Sequence, residues 1–108
     1  MQSFKDQIVV ITGASSGIGR ELARVFSRDG ATVVLAARSV DALEQLAAEL
    51  REAGGQALVV PTDVRDYDQV ERLIRVTQET FGRLDVLVNN AGQGLGVWAK
   101  DLTMAPVE

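Results

Sequence analysis

The 108-residue chain contains no cysteine and no histidine. The first absence removes disulfides, thiolate metal sites and cysteine nucleophiles. The second removes the commonest general base, the serine–histidine pairing and most zinc sites. Any chemistry must therefore run through carboxylates, tyrosine, lysine, serine or a cofactor, and no metal is expected. Basic runs are missing as well. The eleven Lys and Arg are scattered among fifteen Asp and Glu, and the net charge is −4. That balance argues against nucleic acid or an anionic membrane as a partner. Near the N-terminus, Lys5 and Asp6 precede only four consecutive apolar residues. This is too short for a signal peptide or a membrane span, so a cytoplasmic location is the expectation.

What is present suits one modest soluble domain: 46% hydrophobic and 24% charged residues. Short apolar runs at 8–12, 32–36, 57–60 and 86–88 read as strands. Between them lie stripes at helical spacing: Ile18, Leu22, Val25 and Phe26; then Val40, Leu43, Leu46, Ala47 and Leu50. A third stripe is Val70, Leu73, Ile74, Thr77 and Phe81, opened by the capping-box pair Asp66 and Gln69. Gly30, Gly54 and Gly82 follow the three helices as stops. Continuously apolar strands alternating with amphipathic helices imply a parallel sheet covered on both faces. The fold class is α/β, a Rossmann-type doubly wound parallel sheet, first half only, with expected strand order 3-2-1-4. Residues 1–92 read as the dinucleotide-binding half, and 93–108 as an irregular, glycine-rich segment leading into a helix that starts at Thr103.

Four strand ends carry residues with chemical meaning. After the first strand, TGASSGIG places Gly13, Gly17 and Gly19 before a helix, with Ser15 and Ser16 between them. Free N–H groups at a helix start bind anions, and glycines allow a pyrophosphate close approach. The spacing is neither G-x-G-x-x-G nor a P-loop, and an ordinary turn is the competing reading. After the second strand comes Arg38, either a fork for a ribose 2′-phosphate or a solvated surface arginine. After the third comes Asp63, placed to accept from an exocyclic amine or to cap the next helix. After the fourth comes Asn89-Asn90-Ala91-Gly92, where small residues leave room for a ligand, or a plain turn forms.

Together these residues resemble the classical short-chain dehydrogenase/reductase family, over nearly the whole chain and in the family's order. Residues 12–19 are similar to its TGxxxGxG motif, Asp63-Val64 to its adenine-contacting pair, and 89–92 to its NNAG motif. The resemblance implies that Gly13, Ser15, Ser16, Gly17, Ile18 and Gly19 hold the pyrophosphate and nearby ribose. It implies that Asp63 and Val64 flank the adenine, that Asn90, Ala91 and Gly92 line the nicotinamide-side ribose, and that Asn89 braces the strand. Arg38 resembles the basic residue of NADP(H)-preferring members, although the second basic position some members carry in the glycine motif is Ser here.

The same resemblance implies an NADP(H)-dependent oxidoreductase that interconverts a carbonyl and an alcohol by hydride transfer, with NAD(H) as the second choice of cofactor. The small-molecule substrate is unspecified, and a homo-oligomer is implied at full length. The family's catalytic Ser and Tyr-x-x-x-Lys pair lie beyond the NNAG segment. The sole tyrosine, Tyr67, is followed four residues on by Glu71, not lysine. No catalytic residue is therefore expected among these residues, and the chain alone is expected to be inactive. Ending at Glu108 should leave the fourth strand with an open apolar edge. The expectation is the N-terminal, cofactor-binding part of a longer enzyme; the alternatives are a non-catalytic dinucleotide-binding module complete as it stands, or an NAD(H)-preferring dehydrogenase.

Overall fold

Five consecutive residues branched at Cβ, IVVIT, form β1 (Ile8–Thr12), and all five are buried in the computed structural model. The structure describes residues 4–90, with the backbone of 95–99 and 104–107. Branched side chains are stiff at χ1 and pack well on a pleated surface, which favours strand over helix. β2 (Thr32–Ala37) is buried throughout as well. β3 (Gln56–Pro61) and β4 (Val86–Asn89) complete a parallel set in the order β3-β2-β1-β4, as expected. Val9 pairs with Val33, Val34 with Leu58, and Val10 with Leu87.

Because side chains alternate along a strand, this set feeds two cores. Val9, Ile11, Val33 and Leu35 pack with Ala23 of α1 (Gly17–Arg28) and with Leu43, Leu46 and Leu50 of α2 (Val40–Glu52). Ile8, Val10, Val34, Ala36 and Val60 pack on the opposite face with Leu73 of α3 (Tyr67–Phe81). The amino ends of β1 and β4 are locked by a buried carboxylate: Ile8 N–H donates to Asp85 Oδ2 at 2.8 Å. Arg83 holds Oδ1 of the same residue from the solvent side at 2.8 and 3.1 Å. Among the described residues no helix is long and apolar enough to cross a membrane.

Three details differ from the sequence reading. Ile18 and Val25 face solvent, 63% and 48% exposed, and so does Val40. In α1 the buried positions are Gly19 and Ala23, flanked by the half-buried Leu22 and Phe26. The small residues let the helix axis approach the sheet, so the packing stripe is displaced from the largest apolar side chains. Next, the capping box is only half formed. Asp66 is the N-cap and accepts from Asp68 N–H at 3.0 Å. Gln69 does not reach the Asp66 N–H; its Oε1 accepts from Asp63 N–H at 2.8 Å, tying α3 to the loop after β3.

Finally, the segment expected to be irregular contains β5 (Leu95–Ala99), antiparallel to β4, and β6 (Met104–Val107), antiparallel to β5. The outer edge of β4, expected to stand open, is thus paired. An exposed edge offers unpaired N–H and C=O groups to any strand within reach, and Val97 with Trp98 favours strand locally. The expected helix start, Thr103, lies outside the described residues, as do Ala91 and Gly92 of the NNAG motif.

Candidate functional site

The first turn leaves β1 at Thr12 and enters α1 at Gly17. Gly13 and Gly17 have φ of 64° and 56°, a region that side chains with Cβ rarely occupy. Gly17 is glycine for this backbone reason alone, since a Cβ there would meet nothing within 4 Å. Gly19 is glycine for space: a Cβ would collide with the Gly13 carbonyl oxygen and lie 2.6 Å from Asn90 Nδ2. Ser16 is the N-cap but makes no capping bond, and the first turn of α1 carries no acidic residue. The helix therefore begins with unpaired N–H groups and no negative charge, the arrangement that attracts an anion.

The end of β4 is fastened to this turn. The Thr12 hydroxyl donates to Asn89 Oδ1 at 3.1 Å, and Asn90 N–H donates to Thr12 Oγ1 at 3.0 Å. The Asn90 amide donates in turn to the Gly13 carbonyl at 3.3 Å. The two amides thus have definite partners: Asn89 meets the strand, Asn90 meets the glycine turn.

A cleft of about 440 Å³ opens at the carboxyl ends of β1, β2 and β3. Its walls are Gly13 and Ser15 from the first turn, Arg38 from the second, and Asp63, Val64 and Arg65 from the third. Three groups singled out in the sequence therefore converge on one cavity, and Asn90 reaches it through Gly13. Gly17, Ile18 and Gly19 stand beside it on α1 rather than in its lining. Arg38 is exposed just before α2, whose N-cap is Ser39, and has no hydrogen bond or ion pair among the described residues. Asp63 is gripped by Arg65: Oδ1 accepts from the Arg65 backbone N–H at 3.0 Å and from Nε at 3.1 Å. Oδ2 accepts from Arg65 Nη2 at 3.0 Å. The Arg65 side-chain bonds, its backbone bond and more weakly the charge of Arg38 lower the Asp63 pKa to about 2.

Arg65 was not among the residues picked from the sequence. Its signal is faint but physical: an Asp accepts readily from the N–H two residues on, forming an Asx turn that brings the following side chain alongside. The buried Thr62, whose N–H donates to the Ala37 carbonyl at 2.9 Å, is a second unforeseen support. It continues the β2–β3 ladder past Pro61 and fixes the strand ends from which Arg38 and Asp63 line the cleft.

The profile of the short chain dehydrogenase family matches residues 7–108. The chain belongs to that family. Within it, an uncharacterized oxidoreductase of Bacillus subtilis is 45% identical over 104 residues, covering 96% of this chain and 29% of its relative. One from Staphylococcus aureus is 45% identical over 95 residues, covering 88% of this chain and 40% of that protein. Among solved structures, the L-sorbose reductase of Gluconobacter frateurii, complexed with NADPH and L-sorbose, superposes with a TM-score of 0.80 at 42% identity. That match covers 85% of this chain and 35% of the reductase. A short chain dehydrogenase/reductase of Burkholderia phymatum, in complex with NAD, gives a TM-score of 0.82 at 41% identity, over 89% and 34%. The chain thus spans well under half the length of these family members.

Proposed function

We propose that this short-chain dehydrogenase chain is the cofactor-binding part of an NADP(H)-dependent oxidoreductase that interconverts a carbonyl and an alcohol. The observation that carries the cofactor preference is Arg38. It is a guanidinium without a hydrogen bond or ion pair among the described residues, on the wall of a cleft that also holds a glycine turn and an acceptor carboxylate. Asp63, which lines the same cleft, is paired with Arg65. The Gluconobacter frateurii reductase is complexed with NADPH and the Burkholderia phymatum protein with NAD, so these neighbours support a nicotinamide dinucleotide, and the preference rests on Arg38.

The residues fit such a dinucleotide. The N–H groups of Gly17, Ile18 and Gly19, with the Ser15 and Ser16 hydroxyls, bind the pyrophosphate beside Gly13. Arg38 would hold the 2′-phosphate, and Asp63 with Val64 would receive the adenine. By the family resemblance, Asn90 would border the nicotinamide-side ribose together with Ala91 and Gly92, which lie outside the described residues. The bound cofactor supplies hydride exchange; the residues that move the proton are proposed to lie outside these 108 positions. The substrate is a small carbonyl or alcohol compound.

Titrating the full-length protein with NADPH and NADH tests this. Tighter binding of NADPH is expected, with Arg38→Asp weakening NADPH by about tenfold to a hundredfold, as loss of a charge-assisted contact of about 1.5–3 kcal/mol implies. NADH affinity should change little. Equal affinities in the wild type, or NADPH binding unmoved in Arg38→Asp, would remove the role given to Arg38. Tighter binding of NADH, the nucleotide without the 2′-phosphate, would favour the NAD(H) alternative.

A further inference from the structure

Arg65 lines the cleft, and every hydrogen bond it donates among the described residues goes to Asp63. Its backbone N–H, Nε and Nη2 all donate to that one carboxylate, at 3.0, 3.1 and 3.0 Å. An ion pair whose arginine side chain is 73% exposed adds little to folding, so its consequence is to be sought in the cleft itself. A carboxylate offers about four acceptor positions. Arg65 occupies two on Oδ1 and one on Oδ2, so the remaining one lies on Oδ2. Gln69 fixes the same residue from behind through the Asp63 backbone N–H. Both the backbone and the side chain of Asp63 are therefore set before any ligand arrives.

We propose that Arg65 is a positioning residue that orients Asp63 and leaves its one open acceptor, on Oδ2, for the 6-amino group of a purine, so that the cleft selects a 6-aminopurine over a 6-oxopurine. This rests on the dinucleotide reading above. A carboxylate that can only accept attracts an amine and repels a carbonyl oxygen at the same place. The discrimination holds only while the carboxylate is ionised and aimed. Asp63 is ionised at neutral pH by its own acidity; Arg65 aims it through three bonds and, by the same pairing, extends ionisation to lower pH. The other charged groups around Asp63 are Arg38 at the end of β2, Asp66 on the same loop and Arg72 on α3. The Asp66 carboxylate is turned away onto Asp68 N–H and the Gln69 amide, and Arg72 donates to the Pro61 carbonyl.

The experiment compares full-length wild type, Arg65→Gln and Arg65→Lys by calorimetric titration with NADP⁺ and with nicotinamide hypoxanthine dinucleotide phosphate, its 6-oxo analogue. The wild type should prefer NADP⁺ by about tenfold, as one well-made hydrogen bond to a charged acceptor allows. The preference should shrink to about threefold or less in Arg65→Gln, with Arg65→Lys intermediate, because an ammonium restores charge without the fork. The ratio of wild-type to Arg65→Gln affinity for NADP⁺ should also widen from about pH 5.5 to 4. In the variant Asp63 protonates near the ordinary carboxylate value of about 3.9, and titrations of the nucleotide itself cancel in the ratio. A merely structural ion pair would move neither the base preference nor this pH profile. Equal preference in all three proteins, or a ratio flat with pH, overturns the proposal. A wild type that binds neither nucleotide overturns the dinucleotide reading and this proposal with it; a wild type that binds both alike overturns only this one.

Discussion

Gly17 and Gly19 stand two positions apart in one motif and are required for different physical reasons, which makes their substitutions distinguishable. Alanine at Gly17 meets no neighbour but must adopt a φ of 56°. The cost is backbone strain of about 1–2 kcal/mol, with the fold intact. Alanine at Gly19 collides with the Gly13 carbonyl and the Asn90 amide. Relief requires α1 to move off β1 and breaks the Asn90–Gly13 bond, at a cost of about 1–3 kcal/mol for overpacking. Urea unfolding should show the larger loss for Gly19→Ala. Nucleotide titration should show weakened binding in both, since both shift the first N–H groups of α1. A Gly19→Ala protein as stable as wild type would mean that the close approach of α1 to the glycine turn is dispensable. The Asp63–Arg65 pair has a different signature. Its folded pKa lies below the unfolded value of about 3.9, so its contribution is complete above that pH. It is lost as pH falls through about 2, and solvent screening keeps it small.

At the scale of elements, α3 bears on the site through its first turn. Asp66 caps the helix by accepting from Asp68 N–H, and Gln69 reaches back to the Asp63 N–H. Asp66→Ala should lower stability by about 1 kcal/mol, measured by chemical denaturation. Gln69→Ala should leave global stability nearly unchanged and weaken adenine-nucleotide binding, because it frees the backbone of Asp63. The reverse pattern would separate the helix cap from the site. These elements were readable in different degrees. The four parallel strands were legible because buried runs such as IVVIT and TVVLAA have few other conformations open to them. Helix positions were legible from periodicity, but the buried face of α1 was not. Periodicity locates a stripe of large apolar residues, whereas close packing on a sheet favoured the neighbouring Gly19 and Ala23. β5 and β6 were missed because edge pairing depends on which strand edge is free in space, and local residue preference carries no record of that. In the site, Arg38 and Asp63 were legible as strand-end residues. Arg65 was not, since its role exists only through the side chain it grips.

For the molecule as a whole, the strand order reverses between β1 and β4, and open α/β sheets bind ligands outside the carboxyl ends of the strands at such a point. The two ends of the sheet are built differently. At the amino end, Asp85 closes β1 onto β4 with a buried bond to Ile8 N–H. At the carboxyl end, the turns after β1, β2 and β3 surround a cleft of about 440 Å³, those after β1 and β3 being tied to β2 by the backbone bonds of Ala14 to Ala36 and Thr62 to Ala37. A ligand that touches all three turns would add links among these elements, so its binding energy should appear in the cooperative unfolding of the whole. At a free concentration one hundred times its Kd, NADP⁺ should raise the unfolding free energy by about 2.7 kcal/mol. In the full-length protein, thermal unfolding at equal concentrations of NADP⁺ and NAD⁺ should therefore show the larger upward shift with NADP⁺. Arg38→Asp should lose that difference while keeping the NAD⁺ shift, because the glycine turn and Asp63 remain. Equal shifts with the two nucleotides in wild type would mean that Arg38 faces solvent rather than a 2′-phosphate. A shift with neither would mean that the convergence of three turns on one cleft serves a different ligand.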